Sequence, residues 1–325
     1  MEFKPDLIWF KCRSTSISGL IYDSVRGSTK YIQTNSNSQQ GTGADSQTGF
    51  ISHGFTLGAD TSTTGVNQNS TTYAAWCWKA GGTAVSNTDG NITTSCSANQ
   101  EAGFSIITYT GTGAQTTVGH GLGKVPKVMI TKLLDTTTQD WFFMPGELTG
   151  NRATYIKFNT LDAVASDAHT YPDVAPTSTV YTIGGDDGGN GSNGNGSAYV
   201  AYCWSEIPGY SKFGTYNGNG NADGTYVPLG FRPAWVLVRR QSGDHWIIKD
   251  STRNTTNDVY SNLASDIVNA EFGSTGNVQS MDFLSDGFKL RGTDSGVNSS
   301  GNTYIFMAFA EQPGTTPFDT FPNAR

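Results

Sequence analysis

Apolar and polar residues alternate along most of this chain in short runs of about four to seven residues, and clusters of Gly, Asn, Ser and Thr separate the runs. Alternation with a period of two is typical of strands that bury one face, and frequent turn clusters are typical of antiparallel sheets. Helical periodicity is weak and covers only Leu161–Ala168 and Asn262–Ala270. The pattern therefore predicts an all-β fold with at most two short helices.

Three of the apolar strands share one layout. Each begins with a proline, whose missing N–H costs little at a strand entrance, and carries a basic residue six positions later. These strands are Pro5–Lys11, Pro126–Lys132 and Pro233–Arg239. A second apolar strand starts 68, 73 and 71 residues after the respective proline, at Tyr73, Tyr199 and Tyr304. Such recurrence indicates a tandem triplicate.

The recurrence divides the chain into three copies, which we call the first copy (residues 1–100), the second copy (101–208) and the third copy (209–325). A copy of about 105 residues has the size of one β-sandwich. We therefore predict three tandem antiparallel β-sandwich repeats, the third of which carries a C-terminal tail.

The first copy lacks a hairpin that both others contain. In the second and third copies, Tyr109 and Tyr216 of this hairpin each lie 17 residues before the proline. Only Met1–Lys4 precede Pro5, so one sheet edge of the first copy needs another cover, because open edges promote aggregation. Three candidates could cover this edge: the tail Glu311–Arg325, the additional segment Ala84–Ser97 and a neighbouring subunit.

Composition narrows the class of protein. With 20 Lys and Arg against 27 Asp and Glu, the net charge is −7, so we expect no nucleic-acid partner. The longest apolar run, Tyr304–Ala310, is far shorter than the ~20 residues of a membrane-spanning helix, and we expect no membrane insertion. The N-terminus does not resemble a signal peptide, and four cysteines form no disulfide framework. These features predict a protein made in a reducing cytoplasm.

The cysteines and histidines indicate packing rather than chemistry. Cys77 and Cys203 occupy the position at which the third copy has Ala308, so we predict a small buried slot. Cys12 and Cys96 have no counterparts in the other copies and no His or acid nearby that would make a thiol reactive. His120 is predicted to be a packed turn residue. Because no spacing of these residues matches a metal site, we expect neither a metal nor a cofactor.

Two oxygen-rich loops, Asp186–Gly196 and Asn219–Gly224, resemble part of a calcium-binding loop. Neither offers the bidentate Glu at the twelfth position, so solvated turns are favoured over calcium sites.

Templates for catalysis are absent from the sequence, since it has no nucleophile elbow, no phosphate-binding loop and no dinucleotide fingerprint. Asp140, Glu147 and Asp250 are candidates for a pair of glycosidase carboxylates. However, the three copies differ at these places. We therefore predict that the protein is not an enzyme.

Several stretches of this sequence resemble tandem-repeat, tail-fibre-like virion structural proteins of aquatic bacteriophages. The stretches are Phe3–Lys11, Tyr22–Gly27, Gly103–Gly111, Pro208–Gly214, Gly230–Val238 and Tyr304–Ala310. The resemblance implies a virion protein that folds in the host cytoplasm, is released by lysis, contacts other virion proteins and forms a homotrimer. It implies no catalytic residues.

Three functions are compatible with this resemblance. The first is a tail fibre or host-attachment appendage that binds host surface glycans, and the second is a capsid-surface decoration or head fibre with an architectural role. A polysaccharide depolymerase is the third and the least favoured.

If there is a ligand site, we expect it in the loops where the copies diverge, because recognition is usually carried by loops on a rigid scaffold. The diverging loops are Thr34–Gly49, Gly185–Ser197 and Ala270–Ser280. The polar contacts would come from Asn35, Asn37, Asp45, Asp186, Asp187, Asn190 and Asn193. The stacking faces would come from Trp141 and Tyr171.

Overall fold

A computed structural model describes residues 2–61, 64–135, 139–146, 148–185, 191–273 and 278–311. Twenty-five strands and no helix occur within these ranges, and the predicted all-β class is confirmed. Across the same ranges, no helix is long and apolar enough to cross a membrane.

The first copy forms a five-stranded antiparallel sheet with the order β4-β3-β2-β1-β7. The hairpin β5–β6 contributes Phe50, Phe55 and Leu57 to a core with Ile8 and Phe10 of β1. This packing of a hairpin on a sheet has β-sandwich character. The strands are β1 (Leu7–Cys12), β2 (Leu20–Asp23), β3 (Lys30–Gln33), β4 (Gly41–Thr42), β5 (Gln47–Ile51), β6 (Gly54–Leu57) and β7 (Tyr73–Trp78).

An eight-stranded sheet with the order β15-β14-β13-β12-β17-β10-β9-β8 combines six strands of the second copy with β8 and β9 from the end of the first copy, and the pair β11–β16 packs on it. The strands are β8 (Val85–Asn87), β9 (Thr94–Asn99), β10 (Phe104–Thr110), β11 (Thr116–Gly119), β12 (Val128–Leu133), β13 (Phe142–Met144), β14 (Thr154–Lys157), β15 (Ala165–Ser166), β16 (Val180–Ile183) and β17 (Ala198–Trp204).

The third copy has a five-stranded sheet with the order β18-β25-β20-β21-β22 and a three-stranded sheet with the order β19-β24-β23. Phe288 of the smaller sheet contacts Tyr216 and Phe306 of the larger one, edge to face. The strands are β18 (Ser211–Asn217), β19 (Tyr226–Pro228), β20 (Trp235–Arg240), β21 (Ile247–Asp250), β22 (Leu263–Ala264), β23 (Met281–Leu284), β24 (Gly287–Leu290) and β25 (Thr303–Phe309).

The proline and tyrosine strands pair with each other in one register in all three copies. Tyr73 of β7 lies opposite Cys12 of β1, which is seven positions after Pro5. The same offset places Tyr199 opposite Leu133 and Tyr304 opposite Arg240. The repeated sequence pattern therefore corresponds to a repeated strand pair.

The segment Ala84–Ser97 does not cover the open edge of the first copy. Its strands β8 and β9 extend the sheet of the second copy, where β9 pairs with β10. Within the described residues, β7 remains the last strand of its sheet. The tail 312–325, another predicted cover, lies outside the described residues.

Neither predicted helix forms. Residues 161–164 have no regular structure, and Ala165–Ser166 form the short strand β15. In the other segment, Leu263–Ala264 form β22, and residues 266–270 run without a helix. The carbonyl groups of these segments bind distant partners instead: the Asp162 and Ile267 carbonyls accept hydrogen bonds from Arg239 and Lys11. Tertiary contacts therefore override a weak local preference.

The chain divides into two compact units. The first unit comprises Met1–Thr160, Ala165–Ser205 and Asp266–Ala270, and the second comprises Leu161–Val164, Glu206–Ser265 and Glu271–Arg325. Each unit therefore contains a short segment whose chain neighbours belong to the other unit. The predicted division into three sandwich domains remains a prediction.

Candidate functional site

Trp141 and Tyr171, the predicted stacking faces, are fully buried. The Trp141 indole N–H donates to the Gln33 carbonyl at 2.8 Å, and the Tyr171 hydroxyl donates to Thr131 Oγ1 at 3.1 Å. Both rings pack in the core with their polar atoms satisfied. The structure therefore corrects the expected exposure of these two rings, because neither lies where a sugar ring could stack on it.

The polar residues of the predicted loops largely serve the fold. The Asp45 carboxylate accepts from the Thr61 N–H at 2.7 Å and from the Thr61 hydroxyl. Asn37 is exposed, but its carbonyl accepts from Lys132 Nζ at 3.2 Å, and Asn35 is half-buried. Asn193 is fully buried, and its side-chain amide donates to the Ala114 and Gly184 carbonyls. Asp186, Asp187 and Asn190 lie outside the described residues.

The basic residues that follow the strand-entry prolines by six positions are Lys11, Lys132 and Arg239, and all three are fully buried. Each donates to a backbone carbonyl that belongs to another copy. Lys11 Nζ donates to the Ile267 carbonyl at 2.6 Å, Lys132 Nζ to the Asn37 carbonyl at 3.2 Å, and Arg239 Nη2 to the Asp162 carbonyl at 2.6 Å. These cations hold loops in place.

Burial lowers the pKa of both lysines to about 8, because a dry environment disfavours the charged ammonium group. Lys249, in the third copy, is buried as well, and burial lowers its pKa to about 7. Lys249 Nζ donates to the Val259 carbonyl at 3.0 Å and to the Asn262 amide oxygen at 2.6 Å.

The acids considered for catalysis are engaged in ion pairs and hydrogen bonds. Asp250 accepts from Arg253 Nε at 2.6 Å, and both side chains are almost fully buried. Asp23 and Arg26 form the same arrangement in the first copy at 2.5 Å. Asp140 accepts from Asn159 at 2.8 Å and pairs with Lys157, and Glu147 lies outside the described residues.

Cys203 and His120 are packed as predicted, whereas Cys77, for which a buried position was also predicted, is only half-buried. All four thiols are free. Cys203 and Ala308 are fully buried, and burial raises the pKa of the half-buried Cys77 thiol to about 12. His120 is fully buried, with its Nε2 3.2 Å from the Thr177 carbonyl, and burial lowers its pKa. In the described part of the chain, no group of three or more His, Cys, Asp or Glu side chains is arranged to hold a metal ion.

An open cleft of about 390 Å³ lies beside β8 and β9 in the first unit. Asn87, Asp89, Gln100 and Thr179 line it, and no aromatic residue does. The Asn87 and Asp89 side chains are already bonded to each other at 2.9 Å. The cleft therefore offers polar contacts but no stacking face.

The sheet β19-β24-β23 presents a different surface, on which Tyr226 is 40 % exposed. No other Phe, Trp or Tyr side chain among the residues that the structure describes is as exposed. Tyr226 lies opposite Lys289 of β24, and Lys289 lies opposite Asp282 of β23. We call the group Tyr226, Asp223, Asp282, Lys289 and Arg291 the Tyr226 surface.

The charged residues of the Tyr226 surface are linked to one another. Lys289 Nζ lies 2.5 Å from Asp223 Oδ1, and Arg291 Nε lies 2.5 Å from Asp282 Oδ2. The hydrogen bond and charge of Lys289 lower the pKa of Asp223. The surface thus combines an accessible ring with fixed donors and acceptors.

Sequence reasoning missed the Tyr226 surface because it searched only the loops where the copies diverge. A usable signal was present in β19, where Tyr226 and Pro228 are exposed and Val227 between them is buried. The alternation places the tyrosine on the outer face.

A family model covers nearly the whole chain. No curated protein and no solved structure matches the chain. A family model described as "Domain of unknown function (DUF7483)" matches residues 1–313. Because this match spans nearly the whole sequence, the chain belongs to the DUF7483 family.

Proposed function

We propose that this protein is a non-enzymatic structural component of a bacteriophage virion, and that it serves as a tail fibre or other host-attachment appendage. The resemblance of its strand motifs to tail-fibre-like virion proteins supports the class. The observation that carries attachment is the Tyr226 surface, which is the one place in the described structure where an exposed aromatic ring stands beside paired charges.

The chemistry of this surface suits a carbohydrate. The apolar face of a sugar ring packs on an aromatic side chain, and the sugar hydroxyls exchange hydrogen bonds with carboxylates and ammonium groups. Lys289 and Asp282 stand in register beside the ring on adjacent strands. A rigid sheet holds these groups in fixed positions, which lowers the entropic cost of binding.

We predict that Tyr226→Ala weakens binding of the chain to host cells or to a host glycan array at least tenfold. The matched control is Val278→Ala, which shortens another exposed apolar side chain of the same unit and should leave binding unchanged. Equal binding by wild type and Tyr226→Ala would contradict this site. If the wild type does not bind at all, the attachment role itself is contradicted.

An architectural role as a capsid-surface decoration or head fibre is the second candidate. It is favoured by the burial of Trp141, Tyr171 and Asn193, since these residues serve the fold rather than a ligand. Locating the chain in a virion density map separates the two candidates: density on the capsid shell would exclude a tail fibre. Release of oligosaccharides from host glycan would instead indicate a depolymerase.

A further inference from the structure

In the second and third copies, the tyrosine strand binds a partner strand that has no counterpart among the described residues of the first copy. β10 pairs with β17 and β18 pairs with β25, in equivalent registers that place Tyr109 opposite Tyr199 and Tyr216 opposite Tyr304. The two rings of each pair are stacked, with centroids 5.1 Å and 5.0 Å apart. We call β10 and β18 the donor strands.

The hydroxyl of each donor tyrosine binds a fixed backbone acceptor. Tyr109 donates to the Ser192 carbonyl at 2.6 Å, and Tyr216 donates to the Val297 carbonyl at 2.7 Å. Both acceptors lie seven residues before the stacked tyrosine of their own copy. The residue at this offset in the first copy is Val66, which is buried.

A buried asparagine clamps the turn that follows each donor strand. Asn193 Oδ1 accepts from the Thr112 N–H at 2.8 Å, and its Nδ2 donates to the Ala114 carbonyl at 2.6 Å. Asn298 binds the turn of the third copy in the same way. Its Oδ1 accepts from the Asn219 N–H at 3.0 Å, and its Nδ2 donates to the Asn221 carbonyl at 2.9 Å. The clamp therefore binds backbone atoms of the donor turn, and it adds one side-chain contact in each copy, to Thr112 Oγ1 and to Asn219 Oδ1.

The first copy retains the residues that bind the donor strand in the other copies. We call Val66, Asn67 and Tyr73 the receptor. Asn67 lies six residues before Tyr73, as Asn193 and Asn298 lie six residues before their tyrosines. Its Nδ2 donates to the Gly58 carbonyl at 2.7 Å, which matches the inner bond of Asn193 to the Gly184 carbonyl at 2.8 Å. The Tyr73 hydroxyl accepts from the Gln68 N–H at 3.1 Å, as that of Tyr199 accepts from the Gly194 N–H.

What differs in the first copy is that the receptor is accessible. Asn67 is exposed and Tyr73 is half-buried, whereas Asn193, Asn298, Tyr199 and Tyr304 are buried. Strand β7 is the last in its sheet among the described residues. No described residue stacks on Tyr73 or binds Asn67 Oδ1.

We propose that the first copy is a strand-acceptor site for another polypeptide that carries the motif Tyr-x-Gly-x-Gly. The tyrosine would stack on Tyr73 and donate to the Val66 carbonyl, and the following turn would bind Asn67. Strand addition of this kind gains affinity from main-chain hydrogen bonds and specificity from the side chains that fit the receptor.

The two glycines of the motif are required by the geometry of the donors. A Cβ at Gly111 or Gly218, two residues after the tyrosine, would clash with the carbonyl of Gly194 or Ser299. Four residues after the tyrosine, Gly113 and Gly220 have φ of 74° and 66°, a conformation that other residues rarely adopt.

The motif occurs twice in this chain, at Tyr109–Gly113 and Tyr216–Gly220. Both occurrences are already paired with the tyrosine strand of their own copy. Residues 312–325 contain no tyrosine. We therefore assign the occupant to a further occurrence of the motif, on a partner polypeptide.

The test uses a fluorescent peptide with the sequence of Ser211–Gly220 and the full chain. We expect saturable one-to-one binding, a loss of at least tenfold when the peptide carries Tyr216→Ala or Gly218→Val, and protection of the β7 amides from hydrogen exchange. Asn67→Ala in the chain should weaken binding similarly. The matched control is Asn69→Ala, which alters a neighbouring exposed amide and should leave binding unchanged.

A second measurement keeps the proposal testable if binding of the free peptide is too weak to detect. Replacing Met1–Lys4 by the sequence of Gly103–Val125 restores the 17-residue spacing between tyrosine and proline. The graft should raise the midpoint of thermal unfolding, and the same graft with Tyr109→Ala should not.

Three results would overturn the proposal. The first is the absence of both peptide binding and a gain from the graft. The second is peptide binding that appears only after residues 312–325 are deleted, because the chain's own C-terminal segment would then be the occupant. The third is self-association of the chain that Asn67→Ala abolishes, because the occupant would then be a second copy.

Discussion

Lys11, Lys132 and Arg239 show how a single buried side chain can fix a loop far away in the sequence. A buried cation is costly unless strong acceptors replace its lost water. Backbone carbonyls supply these acceptors here, from Ile267, Asn37 and Asp162. The arrangement constrains the loop backbone without regard to its side chains, so loop sequences can diverge while the loop positions are kept.

We predict that Lys132→Met changes the pH dependence of stability. The pKa of Lys132 in the folded protein is about 8, below the 10.5 of a free lysine. Between these values the unfolded chain binds more protons than the folded one, so the lysine makes the free energy of unfolding rise with pH. From pH 8 upward, the free energy of unfolding measured in urea should rise for the wild type relative to Lys132→Met. The relative gain should reach about 3 kcal/mol at pH 10.5.

Below pH 8 the difference in free energy of unfolding between the two proteins should be constant. Thiols and tyrosines with raised pKa act in the opposite direction above pH 9, but they are present in both proteins and cancel. Lys124→Met, at an exposed position, controls for the loss of one positive charge. Parallel curves for wild type and Lys132→Met would contradict the buried ammonium.

The sequence allowed the burial of some of these residues to be predicted but not that of others. The shared slot of Cys203 and Ala308 was predictable because only a small residue fits it in both copies. The burial of Lys132 was not, since its acceptors at Asn37 and Gln139 lie on loops that no local pattern connects to the strand. Trp141 was misplaced for the same reason: its hydrogen-bond acceptor is Gln33, more than a hundred residues away.

At the scale of elements, the turn after β21 depends on a buried ion pair. Asp250 accepts from the backbone N–H groups of Thr252 and Arg253 and from the Arg253 side chain. Arg253 also donates to Glu271 at 3.0 Å and to the Ile248 carbonyl at 3.0 Å. One aspartate therefore orders the turn and neutralises the arginine that anchors it.

We predict that Asp250→Asn lowers the free energy of unfolding by about 3–5 kcal/mol, because it leaves a buried guanidinium short of one charge partner. Urea denaturation monitored by tryptophan fluorescence measures the loss. Asp223→Asn removes a carboxylate that is 79 % exposed from its pair with Lys289 and should leave the midpoint unchanged. Similar shifts for both variants would contradict a buried pair at Asp250.

The strand pairs were more predictable than the segments between them. Prolines at strand entrances and apolar runs that begin with tyrosine are local signals, and the pairing of β12 with β17 follows them. The segments Leu161–Ala168 and Asn262–Ala270 carried only a weak helical pattern. Their conformation depends on Arg239 and Lys11, which are distant in sequence.

For the whole molecule, we predict a homotrimer, in line with the resemblance to phage fibre proteins. Light scattering at micromolar concentration should give about three times the chain mass of 34.7 kDa. A mass of 34.7 kDa across the concentration range would contradict a stable homo-oligomer.

Dissection of the chain should expose the dependence of one copy on another. A fragment of residues 1–205 lacks Ile267, so Lys11 keeps only the Ile17 carbonyl, at 3.1 Å, of its two acceptors. We therefore expect Lys11→Met to destabilise the fragment less than it destabilises the full chain, a non-additivity that a double-mutant cycle measures. Equal effects in the two backgrounds would contradict the contact.

The same contacts have a consequence for how the gene can change. The lysine of the second copy takes a carbonyl from the first copy, the arginine of the third copy takes one from the second, and the lysine of the first copy takes one from the third. Recombination between the repeated coding sequences that deleted or inserted one copy would break this cyclic set and deprive a buried cation of the acceptor that another copy supplies. Selection should therefore hold the copy number at three, although tandem repeats ordinarily expand and contract.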